Sequence, residues 1–269
     1  MPASKFTKLR DARVLLLGGT SGIGFATAEA SIEAGAIVTI ASSTQDRLSS
    51  ALSKLKASYP EAAAENKIHG SLCDLSQPES LEANLKTLLE FATNNNTHKL
   101  DHITYTAANV PRLPGLADFQ ASETKESILI LRYDAPIVLG KLASAYMNQG
   151  PRSSITFTGA STATKPTPGR GILTALGAST EGVAKGLAVD LAPIRVNVVA
   201  PGTVDTELLR ALAGPDPKIQ AGFKEMLKKV TLLDKVGEPE DVAEAYIYLM
   251  KDANITGAVI HTDGGRLLK

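Results

Sequence analysis

Short apolar runs alternate with longer stretches of helical periodicity along nearly the whole chain. Arg13–Leu17 is an apolar run ending at glycine and predicts a buried strand. From Gly22 to Ala34 the apolar positions follow helical spacing and stop at Gly35, a helix C-terminal signal. A second strand over Ala36–Ile40 and a second helix over Gln45–Ala57 follow. Further strands are expected at Lys67–Ser71, Leu100–Tyr105, Ser153–Thr158, Ile194–Val199 and Ala258–His261, with helical segments between them. Regular strand–helix alternation predicts an α/β fold: a doubly wound, seven-stranded parallel sheet of Rossmann type, with helices on both faces and right-handed crossovers.

The polar positions punctuate this pattern. Asn94-Asn95-Asn96-Thr97 predicts a surface turn, and Met1–Lys8 reads as a loose tail. Pro- and Gly-marked loops stand at Pro111–Gly115 and Pro166–Gly171, both after strands. No repeat or linker divides the sequence, so residues 1–269 are expected to form one domain. Leu208–Leu212 and Phe223–Val230 have amphipathic spacing and suggest a lid over about 203–230.

Composition narrows the class of function. Lys plus Arg equals Asp plus Glu at 28 each, which gives no net field to recruit nucleic acid or an anionic membrane. The one cysteine, Cys73, has no partner for an internal disulfide and fits a reducing compartment. No apolar run approaches a membrane span and no signal-peptide core opens the chain, so a cytoplasmic protein is expected; the composition says nothing about substrate, and a small-molecule substrate is expected only from the motifs that follow.

The chemistry begins at Gly18-Gly19-Thr20-Ser21-Gly22-Ile23-Gly24, between the first strand and the first helix. Glycines at 18, 22 and 24 let the backbone turn tightly and approach a pyrophosphate lying on the helix N-terminus. A Gly-rich turn without a ligand is the plainer reading, but the strand–loop–helix context favours a dinucleotide.

The spacing Gly-x-x-x-Gly-x-Gly resembles that of short-chain dehydrogenases/reductases, and the family's later landmarks follow in order. Asp74, followed by Leu75, resembles the family's aspartate at the adenine. Thr106-Ala107-Ala108 stands where the family has Asn-Ala-Gly. Arg195–Gly202 resembles the sixth strand and its Pro201-Gly202 turn, which leads to Val204, and Thr256-Gly257 with Asp263-Gly264-Gly265 resembles the closing signature. The likeness spans residues 10–266 and implies a nicotinamide cofactor held by Gly18, Thr20, Ser21, Gly22, Ile23, Gly24, Ser42, Ser43, Arg47, Asp74, Leu75, Ala107, Ala108, Pro201, Gly202 and Val204. It also implies a homodimer or homotetramer through the family's fourth and fifth helices, here Ile128–Met147 and Ala175–Leu191. Which nicotinamide cofactor binds depends on the end of the second strand. An acid there would bind a ribose 2′-hydroxyl and repel a 2′-phosphate. The sequence instead reads Ala41-Ser42-Ser43-Thr44 with Arg47 one turn later, so NADP(H) is expected over NAD(H); a solvated Arg47 is the plainer alternative.

The family's proton-transfer residues are a Tyr-x-x-x-Lys pair, a Ser after the fifth strand and an Asn on the fourth helix. Counting back from Pro201-Gly202, these positions fall on Leu173, Gly177, Ala160 or its neighbour Ser161, and Arg132. No Tyr-x-x-x-Lys occurs anywhere in the chain. Arg132 is the candidate for gripping an anionic or carbonyl group, against pairing with a neighbour such as Asp134; Ser161 is a candidate donor, against a packing or turn role. Lys165 and Arg170 lie in a loop over the pocket, Asp205 is a candidate cap for the lid helix, and His261 reads as structural.

Two functions follow. Reduction of a cationic iminium requires hydride but no general acid, which makes the missing pair dispensable. The chain resembles a group of fungal alkaloid-pathway reductases that reduce such intermediates with NADPH and steer a Diels–Alder closure. The likeness lies in the glycine loop, in Ala41–Thr44 and in the Arg at the Asn position; it departs in having no Asp or Glu within Thr164–Gly171. A cyclase or isomerase using bound NADP(H) as a scaffold fits the same features. The alternative is a non-catalytic NADP(H)-binding sensor or partner protein, which has no need of a lidded pocket.

Overall fold

The computed structural model describes residues 5–108, 116–120 and 129–269. The loop Pro111–Gly115, the first four residues of the expected tail and Ile128 lie outside the described residues. The core of the fold is one sheet in the order β3-β2-β1-β4-β5-β6-β7, every neighbouring pair parallel. Its strands are β1 (Arg13–Leu17), β2 (Ile37–Ser42), β3 (Ile68–Leu72), β4 (His102–Tyr105), β5 (Ser154–Thr158), β6 (Arg195–Pro201) and β7 (Val259–Thr262). The helices are α1 (Gly22–Glu33), α2 (Gln45–Ser58), α3 (Pro60–Ala64), α4 (Pro78–Ala92), α5 (Ala135–Tyr146), α6 (Gly171–Asp190), α7 (Glu207–Ala213), α8 (Pro217–Lys228) and α9 (Pro239–Lys251).

The strands are apolar on both faces because helices cover both. Leu15, Leu17, Ile103 and Phe157 meet Leu81, Leu85 and Leu88 of α4, Leu139 of α5 and Ala184 of α6 on one side. Val14, Leu16, Val38 and Ile40 meet Ala28 of α1, Leu48 of α2 and Tyr246 of α9 on the other. The strand order reverses between β1 and β4, and the carboxyl ends of those strands open the crevice where ligands bind in such sheets.

Most sequence-derived boundaries hold within two residues. Leu100 differs: it forms an isolated bridge to Met147, and β4 proper starts at His102. Gly35 closes α1 at φ +86°, donating to the Ile32 carbonyl at 2.8 Å. Asn94, Asn95 and Asn96 take left-handed backbone conformations in an exposed turn, which asparagine tolerates. Arg195 is buried without a carboxylate partner among the described residues. Its guanidinium donates to the carbonyls of Pro151, Leu249, Ile255 and Met250 and ties β6 to the end of α9.

His102 lies buried on β4 with its Nδ1 2.9 Å from Ser154 Oγ. Burial lowers its pKa to about 4, aided by Arg195 and opposed by Asp101. The unfolded chain titrates near 6.5 and so binds the proton first as pH falls. Stability from the neutral imidazole is therefore complete above about pH 6.5 and is lost as pH falls toward 4. His102→Gln is expected to remove roughly 2 kcal/mol of the decline in unfolding free energy between pH 7 and 5. Denaturant unfolding at both pH values checks this; equal declines in the two proteins would contradict it.

Candidate active site

The glycine loop closes over the carboxyl end of β1. Gly18 has φ +87°, and a Cβ there would stand 2.6 Å from Ala107 N; a Cβ on Gly24 would stand 2.2 Å from the Gly18 carbonyl oxygen. The turn thus has no room for side chains at either position, and Thr106 Oγ1 donates to the carbonyls of Leu17 and Gly18 from the β4 side. No side chain caps the N-terminus of α1 and no acid occupies its first turn, so its N–H groups stand ready for an anion. A Cβ on Gly22 would meet Thr206 at 2.9 Å, which puts the start of α7 directly against the loop. A cavity of about 210 Å³ opens there, lined by Gly22, Phe25, Asp205, Glu207, Arg210 and Glu238 among others.

At the end of β2, Ser42 is buried, its hydroxyl 3.5 Å from Thr20 Oγ1 and 3.4 Å from Thr44 N. Ser43 and Arg47 are exposed beside it at the start of α2. Asp74 follows β3 and accepts the Ser76 N–H at 2.9 Å, and Leu75 is buried next to it. Ala107 and Ala108 follow β4 at the same edge. Pro201 ends β6, and Gly202 packs against Asp263, leaving 2.7 Å between its Cβ position and Asp263 Cα. Val204 bridges to Gly237 and is buried. The residues expected to hold the dinucleotide thus gather along the carboxyl edge of the sheet.

Arg132 lies in a π-helical turn, Ile130–Asp134, that leads into α5. Such turns leave carbonyls outside the regular ladder. Tyr105 Oη donates to the Leu131 carbonyl at 2.9 Å and Thr180 Oγ1 to that of Arg132 at 3.3 Å. Arg132 Nη1 donates to the Thr158 carbonyl at 3.0 Å. The remaining N–H groups of its five-donor fork have no acceptor, and its charge no carboxylate, among the described residues. Asp134 is exposed and makes no ion pair with it. Burial lowers the Arg132 pKa, against an opposing pull from Tyr105 and Tyr246, but a guanidinium remains protonated.

The nearby phenols are not primed as acids. Tyr105 and Tyr246 are buried, Tyr246 Oη lies 2.6 Å from Thr158 Oγ1, and burial raises both above the ordinary phenol range. Leu173 and Gly177 fall on α6, and the Cβ position of Gly177 faces Ala163 and Ala160. Ser161 is buried with its hydroxyl 3.4 Å from Arg266 Nη1, so its hydrogen bonding is directed to the chain itself. Lys165 Nζ donates to the Arg266 carbonyl, and exposed His261 lies 3.5 Å from Thr164 Oγ1.

Asp205 does not cap α7. Thr206 does, accepting the Leu209 N–H at 3.3 Å, while Asp205 pairs with Arg210 and with Lys224 of α8. Those cations hold its carboxyl below the ordinary range, Lys224 most strongly. A Thr one residue before an acid is itself an N-cap signal that the sequence reading passed over. Thr158, Thr180 and Arg266 were also missed, because their partners are distant in sequence.

A glycine loop at the switch point of a seven-stranded parallel sheet is the arrangement of a dinucleotide-binding Rossmann fold. Residues 5–269 match the model of the SDR-like Rossmann domain, and the chain belongs to the short-chain dehydrogenase/reductase family. It is 41% identical over 261 residues to the short-chain dehydrogenase/reductase malC of Malbranchea aurantiaca, covering 97% of this chain and 96% of the other. The solved structure of that organism's MalC reductase/Diels-Alderase superposes with a TM-score of 0.90 at 39% identity, covering 99% and 100% of the two chains. A short-chain dehydrogenase/reductase of Stachybotrys chlorohalonatus is 37% identical over 261 residues, 97% of this chain and 99% of its own. A small-chain dehydrogenase solved in complex with NADPH superposes with a TM-score of 0.74 at 25% identity, covering 96% and 100%. No helix among the described residues is long and apolar enough to cross a membrane.

Proposed function

We propose that the protein is an NADP(H)-dependent reductase of biosynthetic metabolism that reduces an iminium-type intermediate and steers the cyclisation that follows. The observation that carries this reading is Arg132, a guanidinium that makes one hydrogen bond among the described residues, to the Thr158 carbonyl, beside two buried phenols, Tyr105 and Tyr246, that burial holds above the ordinary range. Similarity to a reductase/Diels-Alderase over nearly the full chain supports it.

The glycine loop, the uncapped start of α1 and the edge at Asp74, Ala107 and Val204 fit the dinucleotide. Ser43 and Arg47, with Ser42 beneath them, suit a 2′-phosphate through hydroxyl and guanidinium donors. When bound, the reduced cofactor supplies hydride. An iminium carbon that accepts it becomes a neutral amine and needs no proton, whereas a ketone becomes an alkoxide that does. Arg132 then holds a carbonyl or carboxamide oxygen of the substrate, away from the cationic nitrogen it would otherwise repel. The lid α7–α8 excludes water and confines the product's conformations, which is what an intramolecular closure requires.

Hydride transfer is tested with NADPH deuterated at the transferring position and a preformed cyclic iminium. Deuterium is expected at the former iminium carbon; label retained in the cofactor, with binding intact, would favour a sensor or a redox-neutral cyclase.

Cofactor choice is tested by calorimetry. NADP(H) is expected to bind more tightly than NAD(H), and Arg47→Ala to weaken NADP(H) by roughly 10-fold while leaving NAD(H) unchanged. Equal affinities in the unmodified protein would reject the assignment.

A further inference from the structure

Past β7 the chain folds back as a strap over Asp263–Lys269 and touches two walls at once. One contact is the exit of the lid. The Gly264 carbonyl accepts the N–H groups of Leu232 at 2.8 Å and Leu233 at 3.2 Å, and Lys269 Nζ donates to the Thr231 carbonyl at 2.9 Å. Gly264 and Gly265 have φ of +62° and +79°, and a Cβ on Gly265 would stand 2.9 Å from Leu232 Cβ, so the two segments lie in direct contact.

The other contact is the segment after β5. Arg266 Nη2 donates to the Lys165 carbonyl at 2.9 Å and Thr167 Oγ1 at 2.7 Å, and Nη1 to the Ser161 carbonyl at 3.3 Å and hydroxyl at 3.4 Å. Lys165 Nζ returns a bond to the Arg266 carbonyl at 3.4 Å. All four acceptors of the guanidinium are neutral, and no carboxylate pairs with it among the described residues. The same segment is backed by α6, where Thr174 Oγ1 donates to the Thr162 carbonyl at 3.2 Å. One planar fork therefore spans both ends of a segment whose first turn is closed by its own backbone, the N–H of Ala163 donating to the Ala160 carbonyl and those of Thr164 and Lys165 to the Ser161 carbonyl, while Pro166 and Thr167 lie beyond that turn.

We propose that Arg266 is a positioning residue for the substrate side of the site, and that the strap joins the lid exit to Ser161–Thr167 so that the two walls loosen together. Its meaning for catalysis rests on the reading that the reacting atoms lie between those walls; the mechanical link does not. In the fold the link is direct: Leu232 touches Gly265, and Gly265 precedes Arg266. Loss of the fork takes the donor from the Lys165 carbonyl and the Thr167 hydroxyl and unties the segment from the strap, although the Ser161 carbonyl keeps the N–H groups of Thr164 and Lys165; the glycine loop makes no bond to the fork.

The test is amide hydrogen exchange on the full chain saturated with NADPH. Arg266→Ala is expected to raise exchange over Ser161–Thr167 about 10-fold, with Gly18–Gly24 and NADPH affinity unchanged. Arg266→Lys, which keeps the charge without the fork, restores little of the protection. Leu232→Gly at the lid exit is expected to raise exchange in Ser161–Thr167 in the native background and to add nothing when combined with Arg266→Ala. Thr167→Val, which removes one exposed acceptor, gives a smaller rise in the same segment and carries the test if Arg266→Ala does not fold. Unchanged exchange over Ser161–Thr167 in these variants, or equal effects of Leu232→Gly in both backgrounds, would overturn the proposal. Because exchange is read without turnover, a failed reductase assignment leaves this result standing, and the reverse.

Discussion

Replacing Arg132 with Met is expected to lower product formation roughly 10²–10³-fold while NADP(H) affinity and thermal stability stay close to those of the unmodified protein. The substitution keeps the length and apolar stem and removes the charge and the donors. Among the described residues, one hydrogen bond is lost, to the Thr158 carbonyl at 3.0 Å. The π-helical turn is held independently by Tyr105 and Thr180 through the carbonyls of Leu131 and Arg132, and those bonds do not involve the guanidinium. Removing a partly buried charge that has no carboxylate partner among the described residues also relieves a desolvation cost, which limits the loss of stability. Substrate binding and the chemical step should therefore suffer far more than the fold. If the variant unfolds, or binds NADP(H) poorly while activity per folded molecule is retained, Arg132 is structural and the role assigned to it is wrong.

The parts of this molecule written in local patterns were legible in its sequence. Apolar runs such as Arg13–Leu17 and Arg195–Pro201 are strands because both sheet faces are covered, and such runs need no partner to be recognised. The glycine loop was legible for the same reason: Gly18 and Gly24 answer to backbone geometry within a single turn. Arg132 stood out because a cation replaces a neutral amide in a family landmark. Its environment did not, since Thr158 and Thr180 come from β5 and α6, and only the folded chain brings them to it. Ser161 shows the limit most clearly. In sequence it is a hydroxyl beside the family's Ser position; in the structure that hydroxyl is engaged by Arg266 from far along the chain. Asp205 shows a smaller limit, because a cap and an ion pair draw on the same residue type, and Lys224 of α8 decides between them.

The most direct test of this account is a paired rate measurement with NADPH on a cyclic iminium and on the ketone that matches it in size and shape. General acid catalysis is typically worth about 10²–10⁴-fold, and only the ketone needs it. The account predicts that the iminium is reduced at least about 10²-fold faster than the ketone at pH 6 and at pH 8 alike, because the proposed chemistry assigns no side chain to supply the proton. Reduction of the ketone at a rate comparable to the iminium would show that an acid operates in this site, and would contradict the central claim.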